Sequence, residues 1–388
     1  MLAGSQGRAA QKAMQILVAL GEIYGAQYMI PVSSAQIAGV SYDNLGEAGL
    51  QFLSEMADGG GRVRVLTTLN PAGMDIENWR NLGIPPDFAE KQLIVLEAFS
   101  RMGVTTTCSC TPYLTGNLPK FGEHIAWSES SAVCYANSVI GARTNREGGP
   151  SALASALTGC TPEYGYLLTQ NRNPTMTFQV NAQLAGTSDF GAVGKLIGEK
   201  IATCKAIPFI QGIPSATLEN LKSFCASLAT YGGTALFHMQ GITPEADQFT
   251  SLGEKITITQ AELQAAIHSL NDTLETEVDF ISLGCPHLSI QEIERISNLL
   301  EGRQVKKEFW ITTARATRQL SDRLGYTHII EAAGAKFAAD TCCVVAPIQG
   351  RFTAMATDSA KACYYASAKH KFKTVFLPFD EVVKLALL

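Results

Sequence analysis

Residues 278–292 read Val278-Asp279-Phe280-Ile281-Ser282-Leu283-Gly284-Cys285-Pro286-His287-Leu288-Ser289-Ile290-Gln291-Glu292, and their pattern decides the fold class. The apolar, β-branched run to Leu283 predicts a buried strand. Gly284 and Pro286 end it, and Cys285 sits at the handover from sheet to loop. Ser289-x-x-Glu292 is a capping box, which opens a helix reaching about Leu300. Strand, loop and capped helix in that order are one half of a βαβ unit.

The same alternation continues on both sides. Downstream, Phe309-Trp310-Ile311 predicts a strand, Ala314 to Leu324 a helix, and Cys343-Val344-Val345 another strand. Upstream, Ala13, Ile16, Leu17, Leu20 and Tyr24 recur at helical spacing over residues 9–24, with Gly25 suited to the end. Tyr28 to Val32 reads as a short strand, and Ser33 to Gln36 as a polar segment leading to Gly39-Val40-Ser41. A helix follows from Leu45 to Ala57, then a strand from Arg62 to Leu66 opening into Asn70-Pro71. Another helix spans Asp87 to Met102, and Val104 to Thr107 is a β-branched run ending at Cys108. The middle third, including Gly232 to Phe237, alternates too. The fold class is therefore α/β, with several helix-flanked parallel or mixed sheets. Breaks at Gly148-Gly149-Pro150 and in the polar stretch Asn271 to Glu277 divide the chain into lobes at about 1–150, 151–275 and 276–388.

A chain of 388 residues, 46% hydrophobic and 17% charged, can fill large cores, which excludes intrinsic disorder. Its net charge of −5 gives no support for nucleic acid or an anionic membrane as partner. No run approaches the ~18 apolar residues of a membrane span, and residues 1–6 lack the marks of a signal peptide. A soluble, cytoplasmic protein is expected.

Ten cysteines are the unusual part of the composition. In such a chain they are buried apolar residues, reactive thiols or metal ligands rather than structural disulfides. Cys204 and Cys225 stand in helical, core-like surroundings, and Cys160 and Cys363 are similar. Cys108 with Cys110, then Cys285, then Cys342 with Cys343 each lie at the edge of a predicted strand. Ligands gather at strand carboxyl ends in α/β sheets. No paired C-x-x-C motif supports a structural zinc ribbon. Three isolated strand-end cysteines fit an iron–sulfur site with fewer than four protein thiolates.

Other polar residues carry two readings each. Arg143 and Arg146, beside Asn145, either clamp a carboxylate or phosphate or pair with Glu129 or Glu147 in a structural network. Asn70-Pro71 is a strand-end contact or an ordinary turn. Gly39-Val40-Ser41 is an anion-binding backbone or a tight loop. His287 and His124 are acid/base candidates or locally hydrogen-bonded rings, and Lys361 is an anion contact or, read first, a solvated helix-face charge. P-loop, nucleophile-elbow, zinc-helix and dinucleotide signatures are absent.

Taken in order, Leu17–Ala26, Ala38–Tyr42, Thr67–Gly73, Cys110–Tyr113, the whole run Asn117–Pro150, Gly284–His287 and Asp340–Cys342 resemble the large subunit of the aconitase X family. The resemblance implies a multi-lobed aconitase-like architecture, with three-layer α/β units around a cluster-bearing cleft. It implies an iron–sulfur dehydratase whose cluster, of [4Fe–4S] type, is held by Cys110, Cys285 and Cys342, with Cys108 and Cys343 as near rivals. The open iron would act as a Lewis acid on the substrate hydroxyl while a base removes the neighbouring proton. The family's serine base lies on a small swivelling domain. This chain stops at Leu388, so the resemblance implies that a separate small subunit supplies the base in a heterodimer, and that no catalytic base lies here. Gly39, Val40, Ser41, Asn70, Pro71, Asn137 and Ser138 would line the substrate pocket, joined by Arg143, Asn145 and Arg146. The split form implies mevalonate 5-phosphate as substrate, giving trans-anhydromevalonate 5-phosphate for isoprenoid synthesis. Cis-3-hydroxy-L-proline is the alternative. A non-catalytic iron-binding scaffold is the rival from another class, and the retained cysteines and Arg143–Arg146 segment argue against it.

Overall fold

The computed structural model describes residues 1–250, 255–273 and 277–388. The first lobe contains α1 (Arg8–Tyr24), β1 (Met29–Pro31), β2 (Ser34–Ile37), α2 (Tyr42–Asp58), β3 (Leu66–Leu69), α3 (Pro86–Arg101), β4 (Ala126–Trp127), α4 (Ser130–Tyr135), α5 (Gly149–Thr158) and β5 (Cys160–Pro162). Ala9, Ala13, Leu17 and Gly21 form the buried stripe of α1, which lies against α5. The parallel sheet has the order β3-β2-β4, and β1 pairs antiparallel with β5. The lobe thus runs past Gly148-Gly149-Pro150, because that break is the start of α5 and the proline occupies its first turn.

Three local expectations fail in this lobe. Ser34 to Ile37 is polar in composition yet forms the buried central strand β2. Its polar side chains are satisfied from afar: Trp127 Nε1 donates to Ser34 Oγ at 3.1 Å, and Glu129 N–H donates to Gln36 Oε1 at 2.9 Å. Conversely, the expected strand from Arg62 to Leu66 starts only at Leu66. Val63 and Arg64 donate their amides to the carbonyls of Met102 and Ala156 instead of to a strand. The β-branched run Val104 to Thr107 likewise makes only one bridge, between Thr105 and Thr68.

The second lobe contains β6 (Met176–Val180), α6 (Thr187–Ile201), β7 (Pro208–Gln211), α7 (Leu218–Gly232), β8 (His238–Met239), β9 (Lys255–Ile258) and α8 (Gln260–His268). Its parallel sheet has the order β8-β7-β6-β9. Gly232 to Phe237 is the end of α7 and the loop that leads to β8. The expected boundary at 271–277 falls partly outside the described residues, which omit 274–276.

The third lobe contains β10 (Phe280–Leu283), α9 (Ile290–Leu300), β11 (Glu308–Thr313), α10 (Arg315–Leu324), α11 (Tyr326–Ala332), β12 (Lys336–Ala339), β13 (Ala354–Thr357), α12 (Ala360–Tyr365), β14 (Lys373–Phe376) and α13 (Phe379–Ala386). The Ser289–Glu292 capping box is formed, both halves present. The sheet is parallel, in the order β12-β11-β10-β13-β14. The chain leaves β10 toward β11 and later returns to its other side as β13, so the strand order reverses between these two neighbours. That reversal opens a crevice at their carboxyl ends. The expected strand Cys343 to Val345 is instead a turn, with Val345 and Ala346 amides donating to the Cys342 carbonyl. Asp340, at φ 64°, has already turned the chain out of β12. Among the described residues no helix is long and apolar enough to cross a membrane.

Gly284 fixes how the Cys285 loop leaves β10. Its φ is +108°, and a Cβ there would stand 2.2 Å from the Thr312 carbonyl oxygen. Gly284→Ala is expected to lower unfolding stability by at least about 1–3 kcal/mol, the cost of such strained backbone. Chemical denaturation measures it, and an unchanged stability would show that the loop can take another path.

Candidate active site

Eight segments meet at one cavity of about 330 Å³. Three leave the carboxyl ends of the first-lobe strands: Ala38 and Gly39 after β2, Asn70 and Pro71 after β3, and Ser128, Glu129 and Ser130 after β4. Three leave the third-lobe sheet: Cys285 after β10, Cys342 with Val344 and Val345 after β12, and Lys361 on α12 after β13. Cys110, in the irregular segment that follows the Thr105 bridge, and Arg146, whose backbone bridges to Trp127, complete the set. Two parallel sheets therefore point their carboxyl ends at the same space.

Of the cysteines, Cys110, Cys285 and Cys342 line this cavity. Cys108 turns into the first-lobe apolar core at φ 44°, and Cys343 packs with Phe280 and Trp310 in a core that the first and third lobes share. Burial pushes the Cys110 thiol up to about 12, and the charge of Glu129 adds to the shift while Lys361 and the His287 amide oppose it. Cys285 keeps some exposure but is raised well above the usual thiol range by desolvation, against the charge of Lys361. Burial raises Cys342 as well, against amide hydrogen bonds from Val344 and Val345. All three are neutral thiols until a positive group compensates their charge; metal binding does this by displacing the protons. Among the described residues no His, Cys, Asp or Glu trio converges tightly enough for a single metal ion. In an iron–sulfur cluster each thiolate ligates a different iron, so three separate thiols lining one cavity fit such a group. Cys204, expected in the core, is exposed, while Cys225 and Cys363 are buried.

Glu129 and Lys361 form the charged wall. Glu129 caps α4, accepting from the Ala132 amide at 2.9 Å and the Ser131 hydroxyl at 2.7 Å, and Lys361 Nζ donates to its other oxygen. Burial alone would raise the carboxyl, but Lys361 and these donors outweigh it and leave it lowered. Burial likewise opposes the Lys361 charge, yet the Glu129 carboxylate holds the ammonium above its ordinary value, and Cys285 and Cys110 would add to this as thiolates. Lys361 is thus a buried partner in an ion pair, not a solvated helix charge. Ser128 also lines the cavity, and its buried hydroxyl has no partner among the described residues. Lys369 stands at the rim, bonded to the Val344 carbonyl and paired with Asp43 at 3.1 Å.

The expected substrate residues divide. Gly39, Asn70, Pro71 and Arg146 line the cavity, and the exposed Arg146 guanidinium has no partner among the described residues. Val40 and Ser41 do not reach it: the Val40 carbonyl accepts from Gln92, and the Ser41 hydroxyl donates to the Val345 carbonyl at 3.1 Å. The structure also places Asn137, Ser138, Arg143 and Asn145 away from the cavity, where their polar groups serve the protein itself. Asn137 bonds Thr144, Ala235 and Arg172, and Ser138 accepts the Phe237 amide. Arg143 donates to Leu167 and Thr169, and Asn145 holds the Tyr164–Tyr166 turn. Neither Arg143 nor Arg146 pairs with Glu129, which Lys361 engages from 232 residues away. Ser128, Glu129 and Ser130 carry no site reading in the sequence, although they follow a strand as Asn70 does, and Lys361 reaches the cavity as its less favoured reading, an anion contact, requires. His124 lies off the cavity, while His287 is fully buried behind it, its ring lowered to about 4 chiefly by desolvation.

Comparison with known proteins finds three family models in succession: aconitase X first domain over residues 1–170, second domain over 174–268 and third domain over 278–387. The phosphomevalonate dehydratase large subunit of Methanocaldococcus jannaschii is 45% identical, over 99% of this chain and 97% of that protein. Its counterpart in Methanothermobacter thermautotrophicus is 47% identical over 94% and 91%. The cis-3-hydroxy-L-proline dehydratase of Hypocrea jecorina is 35% identical over 94% of this chain and 63% of its own length. The crystal structure of Thermococcus kodakaraensis aconitase X in its holo-form superposes with a TM-score of 0.92 at 44% identity, covering 99% of this chain and 97% of that one.

Lys361→Met strips the buried carboxylate of its counter-charge and is expected to cost about 3–5 kcal/mol at neutral pH. The paired Glu129, with its lowered folded value, adds stability above the unfolded carboxyl range and loses it as pH falls through the folded value. In the variant, burial alone raises that carboxyl, so protonation in acid relieves it. The stability gap between the two proteins should therefore shrink as pH is lowered. Denaturation at several pH values measures it, and a gap independent of pH would deny the pairing this weight.

Proposed function

The chain belongs to the aconitase X family, and we propose that it is the large subunit of an iron–sulfur dehydratase that converts mevalonate 5-phosphate to trans-anhydromevalonate 5-phosphate. The observation that carries this reading is the meeting of Cys110, Cys285 and Cys342 with Glu129 and Lys361 at one cavity. Relatives named for the phosphomevalonate reaction reach 45% and 47% identity, against 35% for the hydroxyproline enzyme.

On this reading Cys110, Cys285 and Cys342 hold a [4Fe–4S] cluster by three thiolates. When bound, the cluster supplies a Lewis-acidic iron for the substrate hydroxyl. Lys361 keeps its proton and offsets the negative charge of the thiolates and of an incoming anion. The unpartnered hydroxyl of Ser128 and the Asn70 amide offer hydrogen bonds inside the cavity. Arg146, without a partner among the described residues, is a guanidinium at the same cavity suited to a phosphate by bidentate donation. Mevalonate 5-phosphate carries a carboxylate and a phosphate, whereas hydroxyproline carries an ammonium beside its carboxylate. A cavity with Arg146, Lys361 and Lys369 against Glu129 favours the more anionic molecule.

Glu129 is a poor general base, because three donors already engage its oxygens and hold its proton affinity down. The base is accordingly assigned to a partner, a small swivelling-domain subunit that completes a heterodimer. The words "large subunit" in the relatives' names support that assembly.

Iron and acid-labile sulfide are the first measurement, on chain purified without oxygen. Roughly three to four irons per chain with matching sulfide are expected. Cys110→Ser should lose them and Cys108→Ser should not. With the small subunit added, mevalonate 5-phosphate should turn over and cis-3-hydroxy-L-proline should not. Turnover of hydroxyproline alone would reverse the substrate assignment. Absence of iron after anaerobic reconstitution would favour an inactive scaffold.

A further inference from the structure

Every polar group of His287 is bonded outside its own loop. Its backbone N–H donates to Cys110 Sγ at 3.2 Å, and its carbonyl accepts from Lys222 Nζ at 2.8 Å. Its ring Nε2 lies 2.9 Å from the Thr341 carbonyl, and Nδ1 lies 3.3 Å from Ser109 Oγ. A carbonyl can only accept, so Nε2 carries the proton and Nδ1 takes the Ser109 hydroxyl as donor. Ser109 immediately precedes Cys110, Thr341 immediately precedes Cys342, and His287 itself follows Cys285 by two residues. Lys222 comes from α7 of the second lobe and is itself buried and paired with Glu292. All three lobes thus meet on one side chain and its backbone.

We propose that His287 is a positioning residue that fixes the three thiol-bearing loops relative to one another, resting on the reading that Cys110, Cys285 and Cys342 hold the cluster. The three loops come from segments 110, 285 and 342, with no strand pairing directly between them. Sheet hydrogen bonds set each loop's root but not the separation of their tips. A rigid, planar ring with two nitrogens on opposite sides spans that gap, and no water reaches it to take over its bonds. Partners that orient metal ligands from behind govern how tightly the metal is held.

The test compares wild-type chain with His287→Ala, His287→Gln and Ser109→Ala, all reconstituted anaerobically. Iron retention against a chelator and the electron paramagnetic resonance spectrum are the readouts, with thermal unfolding of the metal-free chains beside them. His287→Ala should release iron about 10- to 100-fold more readily and show an altered spectrum. His287→Gln keeps an N–H able to reach the Thr341 carbonyl and should recover part of the retention. Ser109→Ala, which removes one hydroxyl and leaves the ring, should shift retention in the same direction by less, and it carries the test if the alanine variant fails to fold. Wild-type retention and an unchanged spectrum in the foldable variants would overturn the proposal. A wild-type chain that takes up no iron would instead overturn the cluster reading beneath it.

Discussion

Glu129 and Lys361 meet as a buried ion pair between the end of a first-lobe strand and a third-lobe helix, and the cavity takes its shape and charge from that meeting. Burying two charges is expensive, and their attraction repays the cost only when the remaining lone pairs are satisfied. Here they are, by the Ala132 amide and the Ser131 hydroxyl. An apolar pair would hold two lobes together as well or better. What an apolar pair cannot do is leave an ammonium next to Cys110 and Cys285, whose thiols burial keeps protonated. The pair is therefore best understood as part of the site's electrostatics, with its contribution to stability secondary.

The topology makes such a meeting inexpensive to arrange. Parallel sheets send all their strands toward one edge, and each strand end can deliver one short loop without disturbing the core behind it. Two such sheets facing each other converge six loops on one space, with Cys110 as the exception that hangs from a single bridge. Irregularity at Cys110 is tolerated because its neighbours are tied individually: Ser109 to the Leu69 carbonyl, Thr111 to Ser109, and the thiol to His287.

Local chemistry made much of this legible. The β10 strand, Cys285 and the capped α9 were readable because each rule acts within a few residues: apolar run, breaker, Ser289 with Glu292. The three cysteine neighbourhoods were visible for the same reason. The choice between Cys110 and Cys108 was not, since a backbone at φ 44° turns Cys108 into the core while its neighbour but one faces the cavity. The polar strand β2 was missed because its partners, Trp127 and Glu129, lie more than 90 residues on. Cys343 to Val345 had strand-like composition but no neighbouring strand to pair with. Arg143 and Asn145 looked like ligand contacts because their fork and amide suit anions equally well when the acceptor is Glu245, Thr169 or a backbone carbonyl.

The cavity is better equipped to bind and polarise than to remove a proton. Among the described residues its one lining carboxylate, Glu129, is engaged by three donors, and its cations, Arg146, Lys361 and Lys369, favour anions rather than accept protons. His287, the histidine nearest the thiols, sits behind the cavity wall with both ring nitrogens engaged. A dehydration needs the hydroxide pulled off on one side and a proton taken on the other. These residues provide for the first half. On the proposed reading the second half comes from a group that the small subunit brings to the open side of the cavity, where Arg146 has no partner among the described residues, so that its closure would assemble the reaction and shut out water in one movement.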